Sequence, residues 1–232
     1  MSVAIVTGAS RGLGLALARA MSERGWNLVI DARGAPALEQ AAEELASATK
    51  VVAVAGDVAD ERHRQDLLDA ATGLGGLDLL VNNASLLGPS PQPGLASYPL
   101  DVLEEVYRVN VVGPVGLIQL ALPLLEPGGV IVNITSDAAV EPYEGWGGYG
   151  SSKAALEQVT RILAAEQPAL RVYAVDPGDL RTQLHQDAFP GEDISDRPLP
   201  DVAVPGLRAV IDGSLPSGRY RAQEISAAEV RS

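Results

Sequence analysis

The fold of this chain is decided near its N-terminus, where residues 3–14 read Val-Ala-Ile-Val-Thr-Gly-Ala-Ser-Arg-Gly-Leu-Gly. The short apolar, β-branched run predicts a buried strand over 3–7, and residues 13–24 have the periodicity of a helix. Glycines between them permit a tight turn that leads directly into that helix. This unit predicts an α/β fold with a ligand crevice at the carboxyl end of the first strand.

The same alternation of apolar runs and helical segments continues along the chain. Each run is nearly continuous in apolar residues, which is typical of a parallel sheet covered on both faces. The sequence therefore predicts a single Rossmann-type domain over 1–232, built on a doubly wound parallel sheet of six to seven strands with helices on both faces. The six strands identified are 3–7, 27–32, 50–55, 77–82, 128–135 and 170–176.

Composition excludes several classes of protein and site. The 232 residues include no cysteine and carry a net charge of −13, from 17 basic and 30 acidic side chains. The absence of cysteine excludes disulfides and thiolate metal sites, and the isolated His63 and His185 predict no metal site either. An acidic chain should repel nucleic acid and anionic membranes. We expect no membrane span, because the longest uncharged run, 111–125, is short, and with no signal peptide we expect a cytoplasmic protein.

The glycine turn predicts a site for the phosphates of a dinucleotide. Free N–H groups at the start of the following helix, together with the helix dipole, attract a pyrophosphate. The alternative is a purely structural turn. The candidate cofactor contacts in this segment are Gly8, Ser10, Arg11, Gly12, Leu13 and Gly14.

The end of the second predicted strand, Asp31-Ala32-Arg33, bears on the choice of dinucleotide. An acid that binds the adenosine ribose favours NAD, whereas a guanidinium binds the 2′-phosphate of NADP. Strand alternation turns Asp31 to the face opposite Ala32, while Arg33 and Arg11 can reach one phosphate. These positions favour NADP(H), and Asp31 leaves NAD(H) open.

Three polar side chains are predicted to converge at the other end of the crevice. Tyr149 and Lys153 share one helix face, and Lys153 is one of only two lysines in the chain. Ser136 follows an apolar strand at the edge of the sheet where the crevice lies. A phenol beside an ammonium suits proton transfer, since nearby positive charge favours the phenolate.

Further motifs are spread over nearly the whole chain. They are Thr7-Gly8 with Gly12 and Gly14, Asp57-Val58, Asn82-Asn83-Ala84, Asn110, Ser136, Tyr149 with Lys153, and Pro177-Gly178 with Thr182. In these motifs the chain resembles the short-chain dehydrogenase/reductase family. The resemblance implies that Asp57 and Val58 lie beside the adenine, that Asn83 and Ala84 border a ribose, and that the 177–182 segment approaches the nicotinamide.

The resemblance also implies a role for each of the catalytic residues. Tyr149 exchanges the proton and Ser136 orients the reacting oxygen. Lys153 also holds the nicotinamide ribose, and Asn110 positions a water that passes protons onward from the lysine. Read from the residue alone, Asn110 could instead mark a helix kink before Pro114.

These observations predict an NADP(H)-dependent carbonyl reductase or alcohol dehydrogenase. Tyr143, Trp146 and Tyr149 suggest a small apolar or aromatic carbonyl or alcohol as substrate, and 179–205 is predicted to be a mobile substrate loop. The alternatives are an NAD-dependent alcohol dehydrogenase, a catalytically silent NADP(H) sensor and, on a longer chain, a sugar-nucleotide epimerase. The apolar run 111–125 suggests a homodimer or homotetramer.

Two segments depart from the family pattern. Ser85 stands where relatives usually have glycine after Asn82-Asn83-Ala84, and residues 218–222 lack the usual glycine-rich ending. The first departure bears on nearby cofactor contacts, and the second on the last strand.

Overall fold

The computed structural model describes residues 2–225 and contains one sheet of seven parallel strands, which confirms the predicted doubly wound α/β class. Residues 1 and 226–232, the two ends of the predicted single domain, lie outside the described residues. The strands are β1 (Val3–Val6), β2 (Asn27–Ala32), β3 (Val51–Ala55), β4 (Leu77–Asn82), β5 (Leu125–Ile134), β6 (Arg171–Asp176) and β7 (Gly218–Arg221).

All six predicted strands form, with small shifts at their ends. The largest shift is in β5, which begins at Leu125 because that residue pairs with Leu77 ahead of a register irregularity. The seventh strand, β7, lies in the segment noted for its unusual composition and pairs in parallel with β6. A short edge strand without a long apolar run gives little sequence signal.

The strand order is β3-β2-β1-β4-β5-β6-β7. The order reverses between β1 and β4, so the loops that follow these two strands diverge and leave a crevice at their carboxyl ends. The glycine turn after β1 and Asn83 after β4 consequently lie side by side.

Helices cover both faces of the sheet. They are α1 (Gly12–Ser22), α2 (Ala35–Leu45), α3 (Glu61–Leu74), α4 (Leu100–Tyr107), α5 (Gly113–Ala121), α6 (Gly147–Glu166), α7 (Gln183–Ala188) and α8 (Val204–Asp212). Alternate residues of β1 point to opposite faces: Ala4 and Val6 pack with α1, α2 and α8, whereas Val3 and Ile5 pack with α3 and α5.

Helix α4 continues into α5 through a π-helical turn, Arg108–Val112, which contains Asn110. The resulting helical run, Leu100–Leu124, is long and apolar enough to cross a membrane, by length and composition alone. It is longer than the uncharged stretch 111–125, from which the sequence predicted no membrane span. Leu117 and Ile118 of this run are buried in the core beside the sheet. One side of the run therefore packs against the sheet, while Leu100 and Val112 on it are exposed.

The predicted loop 179–205 contains regular structure. Helix α7 begins after Thr182, whose hydroxyl accepts a hydrogen bond from the His185 N–H at 3.2 Å, and a 3₁₀ turn spans Pro200–Ala203. Such capping stabilises a short helix. The mobility of the segment stays a prediction.

Candidate active site

The glycine turn packs tightly against the end of β4. Gly8 and Gly12 have φ angles of +65° and +59°, in the left-handed region that favours glycine. A Cβ on Gly8 would lie 2.9 Å from the Ala84 Cα. The Thr7 hydroxyl accepts hydrogen bonds from the N–H groups of Asn83 and Ala84, each at 2.9 Å. These contacts fix the turn at the switch point of the sheet.

The N-terminus of α1 opens onto a cavity at the carboxyl edge of the sheet. Its N-cap residue, Arg11, makes no side-chain capping bond, so the first N–H groups of the helix are available to a ligand. Ser10, Gly12 and Leu13 line the cavity. Gly14 packs against the turn and is not part of the cavity lining, since a Cβ there would be 2.5 Å from the Gly8 carbonyl oxygen; its contact with a cofactor stays a prediction.

At one end of the cavity, Asp31 lies in the lining with Ala32 and Arg33, so it does not face away from the site as strand alternation predicted. It is 1% exposed, and its carboxylate accepts hydrogen bonds from the Gly8 N–H at 2.6 Å and from His63 Nε2 at 2.9 Å. Gly56 leaves room for this histidine, since a Cβ there would lie 2.3 Å from Nδ1. Burial raises the pKa of Asp31, against the opposing effect of His63 and the Gly8 amide. Sequence reasoning did not find this pair.

Arg11 and Arg33 line the same end of the cavity and are exposed. Neither forms an ion pair with any carboxylate in the described part of the chain, residues 2–225. Asp57 and Val58 line the cavity beside them. This end of the cavity therefore holds a helix N-terminus and two guanidinium groups, with the carboxylates of Asp31 and Asp57 in the same lining.

At the opposite end, α6 carries two catalytic candidates into the cavity. Tyr149 is 5% exposed and Lys153 is 1% exposed. Lys153 Nζ donates to the Ile134 carbonyl oxygen at 2.8 Å and lies 5.5 Å from the centre of the Tyr149 ring. Ser136 lines the cavity at the end of β5, and its hydroxyl donates to Asp137 Oδ1 at 2.9 Å.

Burial shifts the pKa values of this pair in opposite directions. The pKa of Tyr149 is raised, chiefly by burial and further by the Asp176 and Asp137 carboxylates, while a hydrogen bond with the Ser85 hydroxyl lowers it. Burial lowers the pKa of Lys153 to about 8. At neutral pH the ammonium is therefore retained beside the phenol.

Asn110 lies behind the cavity wall. It is fully buried, and its Nδ2 donates to the Leu86 carbonyl oxygen at 2.9 Å and to Ser152 Oγ at 3.0 Å. Its Oδ1 accepts from the Leu86 N–H at 2.8 Å and from Ser85 Oγ at 3.2 Å. The kink considered from sequence is present as the π-turn, and the side chain ties that turn to the segment after β4 and to α6.

One cavity of about 590 Å³ joins the two ends. Trp146 forms part of its wall, with its ring centre 5.8 Å from that of Tyr149 and 6.0 Å from that of Phe189. Tyr143 is exposed and does not line the cavity. The predicted residues in the lining are Gly8, Ser10, Arg11, Gly12, Leu13, Arg33, Asp57, Val58, Asn83, Ala84, Ser136, Tyr149, Lys153, Pro177, Gly178 and Thr182.

The lining also includes residues that the sequence did not single out. Leu87, Leu184 and Ala188 pack beside Tyr149, and Leu180 and Asp137 also line the cavity. Leu180, Leu184 and Ala188 lie in the 179–205 segment, which the sequence predicted to be a substrate loop.

Comparisons with known proteins agree with this geometry. A family model described as short chain dehydrogenase matches residues 2–193. The chain is 36% identical to sepiapterin reductase of Mus musculus over 200 residues, covering 80% of this chain and 77% of that protein. It is 37% identical to 2-(R)-hydroxypropyl-CoM dehydrogenase of Xanthobacter autotrophicus over 204 residues, covering 85% and 82%. A short chain dehydrogenase from Shigella flexneri, solved in complex with NADP, superposes with a TM-score of 0.86 at 28% identity, covering 96% and 97%.

Proposed function

The chain belongs to the short chain dehydrogenase family of oxidoreductases, and from that premise we propose that it is an NADP(H)-dependent carbonyl reductase or alcohol dehydrogenase. The main support for this proposal is that Ser136, Tyr149 and Lys153 line the same cavity as the glycine turn.

The residues of the cavity suit the phosphate groups of a dinucleotide. Gly8 and Gly12 supply a close backbone cradle at a helix N-terminus, where any larger side chain on Gly8 would strike Ala84. Arg11 and Arg33 supply the guanidinium groups that a 2′-phosphate requires. The Asp31 carboxylate already accepts bonds from Gly8 and His63, which favours NADP(H) over NAD(H). When bound, the nicotinamide supplies or accepts the hydride.

The chain's own residues handle the proton. During reduction, Tyr149 donates its proton to the carbonyl oxygen as that oxygen gains negative charge. The Lys153 ammonium stabilises the phenolate that remains, and Ser136 hydrogen-bonds the same substrate oxygen. Burial of Tyr149 and Lys153 strengthens these interactions because water screens them less. Oxidation of an alcohol runs through the same steps in reverse.

The lining near Tyr149 supports a small apolar or aromatic substrate. Trp146, Leu87, Leu184 and Ala188 form a largely apolar wall there. The two named relatives are a reductase and a dehydrogenase, so each supports one direction of the reaction. The substrate itself is to be found by screening.

We further propose that the protein is cytoplasmic and forms a homodimer or homotetramer. Leu100, Val112 and Ile162, on the helical run after β4 and on α6, are exposed apolar residues that a second copy would cover. Light scattering of the purified protein measures the oligomer directly.

A paired screen tests the function. NADPH or NADH is mixed with aromatic ketones, quinones and aldehydes, and loss of nicotinamide absorbance is followed. We expect turnover that is faster with NADPH, and Tyr149→Phe should reduce kcat by at least about 100-fold while NADPH still binds. Full activity of Tyr149→Phe would contradict the mechanism. Tight NADPH binding without turnover on the whole panel would favour the silent sensor.

A further inference from the structure

A cluster of charged side chains lies beside the catalytic end of the cavity. Arg219 of β7 donates from Nε to Glu157 Oε1 at 2.8 Å, and from Nη2 to Asp176 Oδ2 at 3.1 Å and to the Ser136 carbonyl oxygen at 3.3 Å. The Glu157 and Asp176 side chains are 3% and 4% exposed, and that of Arg219 is 21% exposed. None of the three belongs to the motifs that identify the family.

The end of β5 is held at three successive residues. The Ile134 carbonyl accepts from Lys153, the Thr135 hydroxyl donates to Glu157 at 2.8 Å, and the Ser136 carbonyl accepts from Arg219. Lys153 and Glu157 are spaced by one helical turn on α6, as are Tyr149 and Lys153. Tyr149, Lys153 and Glu157 therefore lie along one face of α6, and the Glu157 carboxylate binds Arg219.

Asp176 extends the cluster to the segment after β6. Its Oδ1 accepts from the Gly178 N–H at 2.9 Å, while its Oδ2 meets Arg219 and lies 3.7 Å from Arg221 Nε. Arg219 thus joins the ends of β5 and β6 to α6, the three elements that carry Ser136, the 177–182 segment and Tyr149.

The charges of the cluster also affect the ionisation of Tyr149. The charged groups that face Tyr149 are Lys153 on its own helix, Asp137 after β5 and Asp176 at the end of β6. Both carboxylates oppose ionisation of the phenol. The Arg219 guanidinium counters the effect of Asp176, the larger of the two, since a paired carboxylate repels a developing phenolate less.

We propose that Arg219 is a positioning residue of the active site, which holds Ser136 through its main chain and balances the Asp176 carboxylate that faces Tyr149. The proposal rests on the proposed function for its kinetic readout.

Two substitutions should move the pH dependence in opposite directions. Arg219→Met removes the closer of the two guanidinium groups beside Asp176 and leaves Arg221 Nε at 3.7 Å, so the acid-side limb of alcohol oxidation, on which Tyr149 must ionise, should move to higher pH by less than about one unit. Asp176→Asn keeps an acceptor for Gly178 but removes the charge, so the same limb should move to lower pH. Arg219→Lys keeps the positive charge but lacks the planar guanidinium group. It should retain most of the wild-type pH profile. Altered packing alone does not predict opposite shifts.

Arg161→Met is the matched control. Arg161 pairs with the other oxygen of Glu157 at 3.3 Å but is 58% exposed, and none of its hydrogen bonds reaches Ser136 or Asp176. Its profile should match that of the wild type. If Arg219→Met does not fold, Asp176→Asn and Arg219→Lys still decide the question.

A titration that needs no turnover separates this proposal from the proposed function. Phenolate absorbance, measured as a difference from Tyr149→Phe, reports ionisation of Tyr149 in each variant. Unchanged titrations in Arg219→Met and Asp176→Asn, or shifts in the same direction, would overturn the role of Arg219. Normal opposite shifts without turnover on any substrate would instead count against the proposed function alone.

Discussion

Individual side chains give the two ends of the cavity different kinds of positive charge. At the cofactor end, the exposed Arg11 and Arg33 have no carboxylate partner among residues 2–225 and can bind an anion directly. At the catalytic end, Lys153 is buried and bonded to a carbonyl. The exposed pair suits the binding of an anion, whereas the buried lysine lies beside a phenol.

Replacement of Arg33 tests the choice of dinucleotide. Arg33→Ala should raise KM for NADPH by about 10- to 100-fold, because a charge-assisted, bidentate contact to the 2′-phosphate is lost. KM for NADH, which has no such phosphate, should change little. Arg62→Ala, at an exposed arginine outside the cavity lining, is the control. Equal effects on both cofactors would show that Arg33 does not read the 2′-phosphate.

Ser85 offers a test of how Tyr149 is tuned. Its hydroxyl lowers the pKa of Tyr149, which requires its single O–H to turn from Asn110 Oδ1, 3.2 Å away, to the phenolate. Ser85→Ala should therefore move the acid-side limb of alcohol oxidation, on which Tyr149 must ionise, to higher pH, by less than about one unit for the loss of one hydrogen bond. Ser90→Ala, at another cavity serine that bonds the Asp187 carbonyl, should leave the profile unchanged. A shift to lower pH would refute the assignment.

Among the elements, the turn between β1 and α1 depends on close backbone contact. Gly8 approaches the segment after β4, and Gly14 approaches Gly8 from within the helix. The two contacts hold the helix N-terminus at the crevice without placing Gly14 in its lining. The turn is therefore packed from both sides before any ligand binds.

Gly14→Ala tests this packing. The added Cβ would lie 2.5 Å from the Gly8 carbonyl oxygen and 2.6 Å from Asn83 Nδ2, so the turn must shift. We expect NADPH affinity to fall at least about tenfold and the free energy of unfolding to fall by about 1–3 kcal/mol. Gly73→Ala in α3 adds the same atom in open space and should be neutral or stabilising. Titration calorimetry and urea unfolding measure both effects, and normal affinity in Gly14→Ala would contradict the packing argument.

Across the whole molecule, the net charge of −13 extends into the cavity, whose lining includes six aspartates, Asp31, Asp57, Asp137, Asp176, Asp179 and Asp187. Arg11 with the α1 N-terminus, Arg33 and Lys153 are local positive groups within this acidic lining. Burying one of these charges should be visible in the stability of the protein.

The stability of the ligand-free protein should rise with pH because of Lys153. The pKa of this lysine is about 8 in the folded protein and 10.5 as its ordinary value. Between these values the unfolded chain binds the extra proton, so raising the pH favours the folded state. The full difference corresponds to about 3 kcal/mol. Tyr149, whose pKa is raised, works in the opposite direction only above its ordinary value of 10.0.

Urea unfolding between about pH 7 and 9.5 measures this effect below the range of Tyr149. Lys153→Met should abolish the rise in stability attributed to the buried lysine. Lys50→Met, at the only other lysine, which is exposed, should keep the wild-type slope. Parallel slopes in all three proteins would show that Lys153 titrates normally in the folded state.

Local pattern was sufficient for the elements and for much of the site. Six strands, the glycine turn, and the Tyr149 and Lys153 pair follow from apolar periodicity and short spacings, since these depend on neighbours in the chain. The parallel arrangement then requires their polar ends to meet at one edge of the sheet, as Ser136 and Tyr149 do. The sequence by itself therefore determined the fold class and the location of the cavity.

Tertiary structure alone decided which distant side chains share a proton or a charge. Arg219 meets Glu157 and Asp176, and Asp31 meets His63, because strand order and register bring separate segments together. Gly14 likewise packs against the turn through its contact with Gly8. No short-range pattern encodes such pairs. They arise from the packing of helices on both sheet faces, which depends on the whole chain at once.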